Sequence, residues 1–259
     1  MRKISRLILI LALGILGTAQ GRTLMQAKAD GTLHMYTGTD FAPFSSLIGA
    51  IAGDGSQPVG FEVELGNLIA DRLGLKPVWQ VKDFDTLIPS IVSNPDVDVL
   101  IASHAITSTR LEQVDFTNPH YCTGGVALTK KDGPLTSKAF GNRDIGAEQG
   151  STYEGYLAKL PMKVNLKTYP NSEETYKALA SGEVVSVVTD LFAAMDASKQ
   201  YAKESFVVGP LLWRESVGMV VAKGNDELRQ AINGVLAELL KDGTYAKLSQ
   251  RYFQQDIRC

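Results

Sequence analysis

The sequence is 259 residues long with 44% hydrophobic and 21% charged residues, an ordinary globular composition that excludes disordered, collagenous and coiled-coil chains. Two cysteines are too few for a disulfide scaffold, and a formal charge of −2 without a basic stripe argues against nucleic acid, where phosphate contacts dominate affinity. Setting a leader aside leaves roughly 240 residues, ample for one large domain or two lobes at ~150 residues per average domain.

Residues 1–19 read as a cleaved secretory signal. Arg2, Lys3 and Arg6 form a positive start, Leu7 to Leu16 an apolar run, and Gly17, Thr18 and Ala19 a small-residue cleavage region. The run is about half the ~20 residues a membrane span needs. No cysteine lies near the cleavage point, so an exported, soluble chain is expected rather than a lipoprotein. Removing those three cations from the 26 basic residues leaves 23 against 28 acids, a charge of −5. Export permits disulfides, so one bridge between Cys122 and Cys259 is expected. The alternative, a metal site using His120 and Cys122, matches no zinc spacing, and no metal or cofactor is expected.

Short β-rich runs then alternate with amphipathic helices. Leu33–Thr37, Val78–Val81 and Val97–Ala102 read as strands, with helices over Glu62–Leu73, stopped by Gly74, and Thr86–Val92. A second series follows Tyr121. Its strands are Val126–Lys130, Ile145–Glu148, Val164–Tyr169, Val184–Val188 and Phe206–Val208. Its helices cover 152–160, 173–181 (Ser172 as N-cap, Gly182 just past the end) and 190–200. Val217–Ala222 is a further strand, and helices over 226–241 and 244–253 follow. The alternation predicts an α/β fold with parallel sheets covered on both faces.

No G-x-S-x-G, P-loop, G-x-G-x-x-G or H-E-x-x-H motif is present. What recurs in order is Gly60-Phe61-Glu62-Val63-Glu64-Leu65, Phe84-Asp85-Thr86-Leu87-Ile88-Pro89-Ser90, Asp98-Val99-Leu100-Ile101-Ala102, Ile106-Thr107-Ser108-Thr109-Arg110, Val114-Asp115-Phe116-Thr117-Asn118-Pro119-His120-Tyr121, Gly150-Ser151-Thr152, Thr189-Asp190 and the ending from Lys241 to Phe253. Over about residues 31–256 this set resembles the periplasmic amino-acid-binding proteins of ABC importers, of the lysine/arginine/ornithine-, histidine- and glutamine-binding type.

The resemblance implies two Rossmann-like lobes of the periplasmic binding protein type II kind, joined by two crossing strands with ligand in the cleft. Lobe 1 would comprise 31–122 plus 217–259 and lobe 2 123–216, closing by a hinge. The implied function is capture of a free L-amino acid by a monomeric periplasmic protein that passes it to a membrane permease.

The residue chemistry fits such a cleft, because buried charges need partners. Arg110 would grip the α-carboxylate, its alternative being a surface ion pair. Ser151 and Thr152 would offer helix-start N–H groups, or act as plain caps. Asp190 would meet the α-ammonium, or cap the helix after it. Phe41 and Phe84 match aromatic walls around the ligand side chain, or are core. Ser103 and Ala105 match a hydroxyl and a backbone contact. Glu148, four residues before Thr152, and Asp40 would supply negative potential for a cationic side chain, although Glu148 can also pair with Arg143 or face solvent.

The sequence departs from the family pattern in three places. Two residues fewer separate Gly-Thr-Asp from the aromatic, Ala105 stands where Ser or Thr is usual, and Val185 where Asp is frequent. The Gly-rich segment Ser45–Val59 reads as a surface loop. An enzyme on the same scaffold, a cyclohexadienyl (arogenate or prephenate) dehydratase, is the alternative reading. Leu191 to Met195, after Asp190, hold no acid of the kind expected there in such enzymes.

Overall fold

A computed structural model describes residues 21–47 and 57–259. The expected leader and most of the Gly-rich segment lie outside the described residues. The chain opens with α1 (Leu24–Asp30), which the hydrophobic pattern does not announce. A reciprocal Thr23–Gln26 capping box starts it and Gly31, at φ 69°, ends it. Then come β1 (Thr32–Gly38), the small hairpin β2 (Asp40–Phe41) and β3 (Ser45–Ser46), α2 (Phe61–Arg72), β4 (Lys76–Lys82), α3 (Phe84–Ser93), β5 (Val99–Leu100), α4 (Ser108–Leu111) and β6 (Val114–Phe116).

The chain crosses into a second unit along β7 (Tyr121–Thr129). That unit holds β8 (Asp144–Glu148), α5 (Thr152–Ala158), β9 (Asn165–Tyr169), α6 (Ser172–Ser181), β10 (Ser186–Asp190) and α7 (Leu191–Gln200). The chain returns along β11 (Val207–Val217) to β12 (Val220–Ala222), α8 (Asp226–Lys241) and α9 (Thr244–Phe253).

Two five-stranded sheets result, ordered β4-β1-β5-β12-β6 and β11-β7-β10-β8-β9. Each carries a hydrophobic cluster on both faces, as the alternation predicts. The first sheet packs Leu33, Leu65 and Leu236 on one side and Leu87, Leu100 and Val220 on the other. The second packs Val187 and Leu179 against one face and Ile145 and Leu157 against the other.

The sheets are mixed, however, not purely parallel. β12 runs antiparallel to β5 and β6, and β7 antiparallel to β10 and β11. These reversals occur where the chain enters and leaves the second unit. β7 and β11 span the two units, with Tyr121 opposite Val217 at their shared end.

β7 is longer than its apolar run because glycine is required in its first half. A Cβ on Gly125 would stand 2.2 Å from the Trp213 ring, and one on Gly124 2.0 Å from the Trp213 carbonyl, so these glycines permit close strand approach. The strand expected over 206–208 likewise extends to Val217, and Gly218–Met219 separates it from β12. The cap of α6 is Asn171, not Ser172. The Asn171 side chain accepts from Glu174 N at 2.9 Å, while Ser172 is buried and spends its hydroxyl on Glu148.

Cys122 and Cys259 are bonded, with Cα atoms 4.8 Å apart. Cys122 N also donates to Ile257 O at 3.0 Å. The C-terminal tail is thereby fastened at the root of a crossing strand.

Candidate ligand cavity

A narrow cavity of about 20 Å3 lies where the end of β8 and the start of α5 in the second unit face the strand ends and α3 of the first. Its first-unit wall is Phe41, Phe84, Ser103 and Arg110, and its second-unit wall Glu148, Ser151, Thr152 and Tyr153. All but Tyr153 are residues singled out from the sequence. Tyr153 is buried on α5 directly after Thr152, where it reads as an ordinary core position.

Arg110 sits in the single turn of α4, whose cap Thr107 accepts from Arg110 N at 3.3 Å. Its guanidinium donates to Ala105 O at 2.9 Å and to Gly150 O at 3.2 Å, and lies 5.5 Å from the Phe84 ring centre. It makes no salt bridge among the described residues. Burial lowers its pKa, but guanidinium stays charged at any physiological pH. Beneath Phe84 the buried imidazole of His104 stacks at 4.6 Å between centres. Burial, followed by the charge of Arg110, holds the His104 pKa well below its usual value. Phe41 stacks on Phe44, which stacks in turn on Tyr121. The two aromatic walls are therefore fixed by layers behind them.

Glu148 ends β8 at the opposite side. It is buried and accepts one side-chain hydrogen bond, from Ser172 Oγ at 2.8 Å. It does not pair with Arg143. Burial pushes its pKa up to about 8, with Asp40, Asp85 and Asp83 acting in the same direction. No cation offsets them among the described residues.

Ser151 caps α5: its hydroxyl accepts from Glu154 N at 3.1 Å and donates to Glu148 O at 2.6 Å. Thr152 is the first residue of that helix. Ala105 lies beside the cavity in a broader groove and forms a β-bridge with Val217, so its carbonyl serves Arg110.

Besides Ala105, two further expected site residues are not brought to the cavity wall. Asp190 is wholly buried and its carboxylate accepts three hydrogen bonds within the second unit. It caps α7 through Phe192 N and Ala193 N at 2.6 and 3.1 Å, and accepts the Thr123 hydroxyl at 2.6 Å. Burial raises its pKa to about 7. Asp40 lines a separate recess with Glu173 and Asp196. Burial, then the charge of Glu173, raises its pKa.

The cavity hydroxyls of Ser103 and Ser151 donate to Glu62 and to the Glu148 carbonyl, not to an imidazole. Among the described residues no group of three His, Cys, Asp or Glu side chains is placed to hold a metal. The arrangement is suited to gripping a small charged molecule between two lobes.

Two α/β units joined by two crossing strands, around a cavity with a guanidinium at one end and a buried carboxyl at the other, define a hinged solute-binding protein. The chain belongs to the bacterial extracellular solute-binding proteins, family 3, whose model it matches over residues 33–255. It is 29% identical over 252 residues to the L-cystine-binding protein TcyJ of Escherichia coli K12, covering 96% of this chain and 92% of that one. It is 31% identical over 259 residues to the lysine/arginine/ornithine-binding periplasmic protein of the same organism, covering 96% and 97%. Among solved structures, an ancestral arginine-binding protein bound to arginine superposes with a TM-score of 0.80 at 34% identity, covering 86% of this chain and 98% of that one.

Proposed function

We propose that this protein captures a free L-amino acid with a cationic side chain and delivers it unchanged to the membrane permease of an ABC importer. It does so as a monomeric periplasmic receptor freed from its leader, and it is not an enzyme. One observation carries the reading. Arg110 and Glu148 line the same cavity, and neither has an ionic partner among the described residues. A dibasic zwitterion supplies both partners at once, its α-carboxylate to Arg110 and its side-chain cation to Glu148. Thr152 at the start of α5 would assist at the carboxylate. Phe41 and Phe84 would flank the alkyl stem or a stacked guanidinium. Asp190, buried behind the cavity wall, would shape the site from behind, and Asp40 would add negative potential from the neighbouring recess.

The relatives that bind arginine, lysine or ornithine support this choice of side chain. The one that binds cystine makes a second zwitterionic head group the main competitor. The test is a thermal-shift and calorimetric panel of arginine, lysine, ornithine, histidine, glutamine, glutamate and cystine, with prephenate included. A ligand at a hundredfold excess over Kd stabilises by about 2.7 kcal/mol. The basic amino acids are expected to give the largest shifts. Turnover of prephenate, or preference for an acidic amino acid, would refute the reading.

A further inference from the structure

Glu62 opens α2, the element that the sequence marks as a helix start and nothing more. It is nevertheless wholly buried. Its carboxylate collects three hydrogen bonds. Ser103 N donates to Oε1 at 3.1 Å, Ser103 Oγ donates to Oε2 at 2.9 Å, and His120 Nε2 lies 2.7 Å from Oε1. His120 Nδ1 has no partner among the described residues, so the imidazole's one polar bond is the one to Glu62. Ser103 itself stands at φ 55°, a left-handed conformation that a serine adopts at a cost. Two bonds to one carboxylate over-determine that conformation.

The consequence lies in which way the Ser103 hydroxyl points. A hydroxyl has one proton and two lone pairs. Glu62 takes the proton, so Ser103 Oγ can offer the cavity only an acceptor, strengthened by its bond to a carboxylate. Asp190 is committed to Thr123 and to the start of α7. Asp190 does not line the cavity, whereas Ser103 does so beside Arg110.

We infer that Glu62 is a positioning residue for ligand recognition: it fixes Ser103 as an obligate acceptor for the α-ammonium and, through His120, ties that acceptor to the root of the crossing strand β7. The inference rests on the amino-acid reading above. His120 is joined to the hinge on its other sides as well. Its N–H donates to Val217 O at 2.9 Å, and its carbonyl accepts the Tyr245 hydroxyl.

The test is Glu62→Gln, which is isosteric. The amide oxygen can keep the Ser103 N–H and His120 bonds at the Oε1 position, which leaves the NH2 group facing Ser103 Oγ. The hydroxyl must then accept from the amide and turn its own proton toward the cavity. Calorimetry and competition use L-arginine and its des-amino analogue 5-guanidinopentanoate. Losing a hydrogen bond to a charged group should weaken L-arginine roughly 10- to 100-fold, while the analogue, which has no ammonium, changes by about twofold or less.

Ser103→Ala should weaken L-arginine to a similar degree. The double variant should bind no worse than either single one, because the two residues act through one contact. Equal losses for arginine and the analogue, or additive losses in the cycle, would overturn the inference while leaving amino-acid capture intact. The cycle decides without the analogue if that probe is unsuited, and Ser103→Ala decides alone if Glu62→Gln folds poorly, because it leaves Glu62 in place and full arginine affinity in that variant would equally overturn the inference. Failure of wild type to bind any amino acid of the panel would overturn the reading and the inference together.

Discussion

Gly150 and Asp85 come from opposite units, yet they approach so closely that a Cβ on Gly150 would stand 2.9 Å from the Asp85 Cβ. The contact bridges the two units beside the cavity, where Gly150 lines the adjoining groove. Beside it Gln149 Nε2 donates to Asp85 Oδ2 at 2.7 Å, and Arg110 reaches the Gly150 carbonyl. Gly150→Ala should therefore hold the two units apart and weaken ligand binding by tenfold or more, about 1.4 kcal/mol of lost closure.

Gly150 also has φ +73°, so the substitution costs local stability whatever the space. Gly182→Ala separates the two effects. Gly182 has φ +83° and nothing within 4 Å of an added Cβ. Both variants should lose a similar ~1–2 kcal/mol of stability from the left-handed backbone, but only Gly150→Ala should lose affinity. Equal affinity in the two variants would show that this contact does not gate binding.

Arg110→Ala should abolish amino-acid binding in a protein that still folds. Removing one member of a desolvated charge pair costs roughly 2–5 kcal/mol, enough to turn micromolar affinity into millimolar. Calorimetry on protein whose circular dichroism matches wild type is the measurement. Near-wild-type affinity would remove Arg110 from the recognition site.

The cavity wall was legible in sequence wherever one short segment fixes both the backbone and the side chain. Arg110 lies in a capped turn, Glu148 ends a strand, and Ser151 and Thr152 open a helix, so each position follows from local pattern. Asp190 and Asp40 show where that logic ends. Asp190 also sits between a strand and a helix, but only the fold buries it behind the cavity and places the Thr123 hydroxyl 2.6 Å from its second oxygen. Asp40 lies in a hairpin whose direction depends on the Ser45–Ser46 pairing. Glu62 resembles any acid in a first helical turn, because Ser103 and His120 reach it from 41 and 58 residues away. The antiparallel strands carry no local signature at all, since apolar runs do not encode the direction of their neighbours.

The 122–259 bond should be detected as a crosslinked peptide in non-reduced digests of exported protein. It closes a loop of sequence separation 137. Reduction should lower stability by up to ~4.7 kcal/mol in the chain-entropy model, and by less if the reduced state retains structure. Thermal unfolding with and without reductant reads the difference. Two free thiols in exported protein would contradict the bond.

The ligand-free protein should lose stability as pH rises from about 5 to 8. Glu148 and Asp190 are held at about 8 and about 7, both above ordinary carboxylates because of burial. A carboxyl raised in the folded state binds its proton more tightly there than in the unfolded chain. Its contribution is therefore complete below the unfolded value near 4 and lost as pH climbs through the folded one. The loss is on the order of a few kcal/mol across the window. Glu148→Gln should flatten its share of that slope, as seen in melting temperatures between pH 5 and 8.5. An unchanged slope in the variant would mean that Glu148 is not the group responsible.

Selectivity follows from the same carboxylate. A ligand ammonium or guanidinium placed against Glu148 favours its charged form, so binding a basic amino acid should release the proton held near pH 7. At an effective dielectric of ~20, a unit charge pair 4 Å apart gains ~4 kcal/mol before desolvation. Arginine affinity should accordingly rise with pH up to about 8, whereas glutamine affinity should stay level. Glutamate should bind worst, because its side chain would bring a second acid to Glu148 and to the field of Asp40, Asp83 and Asp85. Competition calorimetry with arginine, glutamine and glutamate on wild type and Glu148→Gln checks each of these. In the variant the arginine advantage should shrink by tenfold or more and its pH dependence should vanish. Proton release is read directly from the dependence of binding heat on buffer ionisation enthalpy. If glutamine outcompetes arginine in wild type, or if arginine binding releases no proton, the electrostatic account of side-chain choice is wrong even though Arg110 still holds the carboxylate.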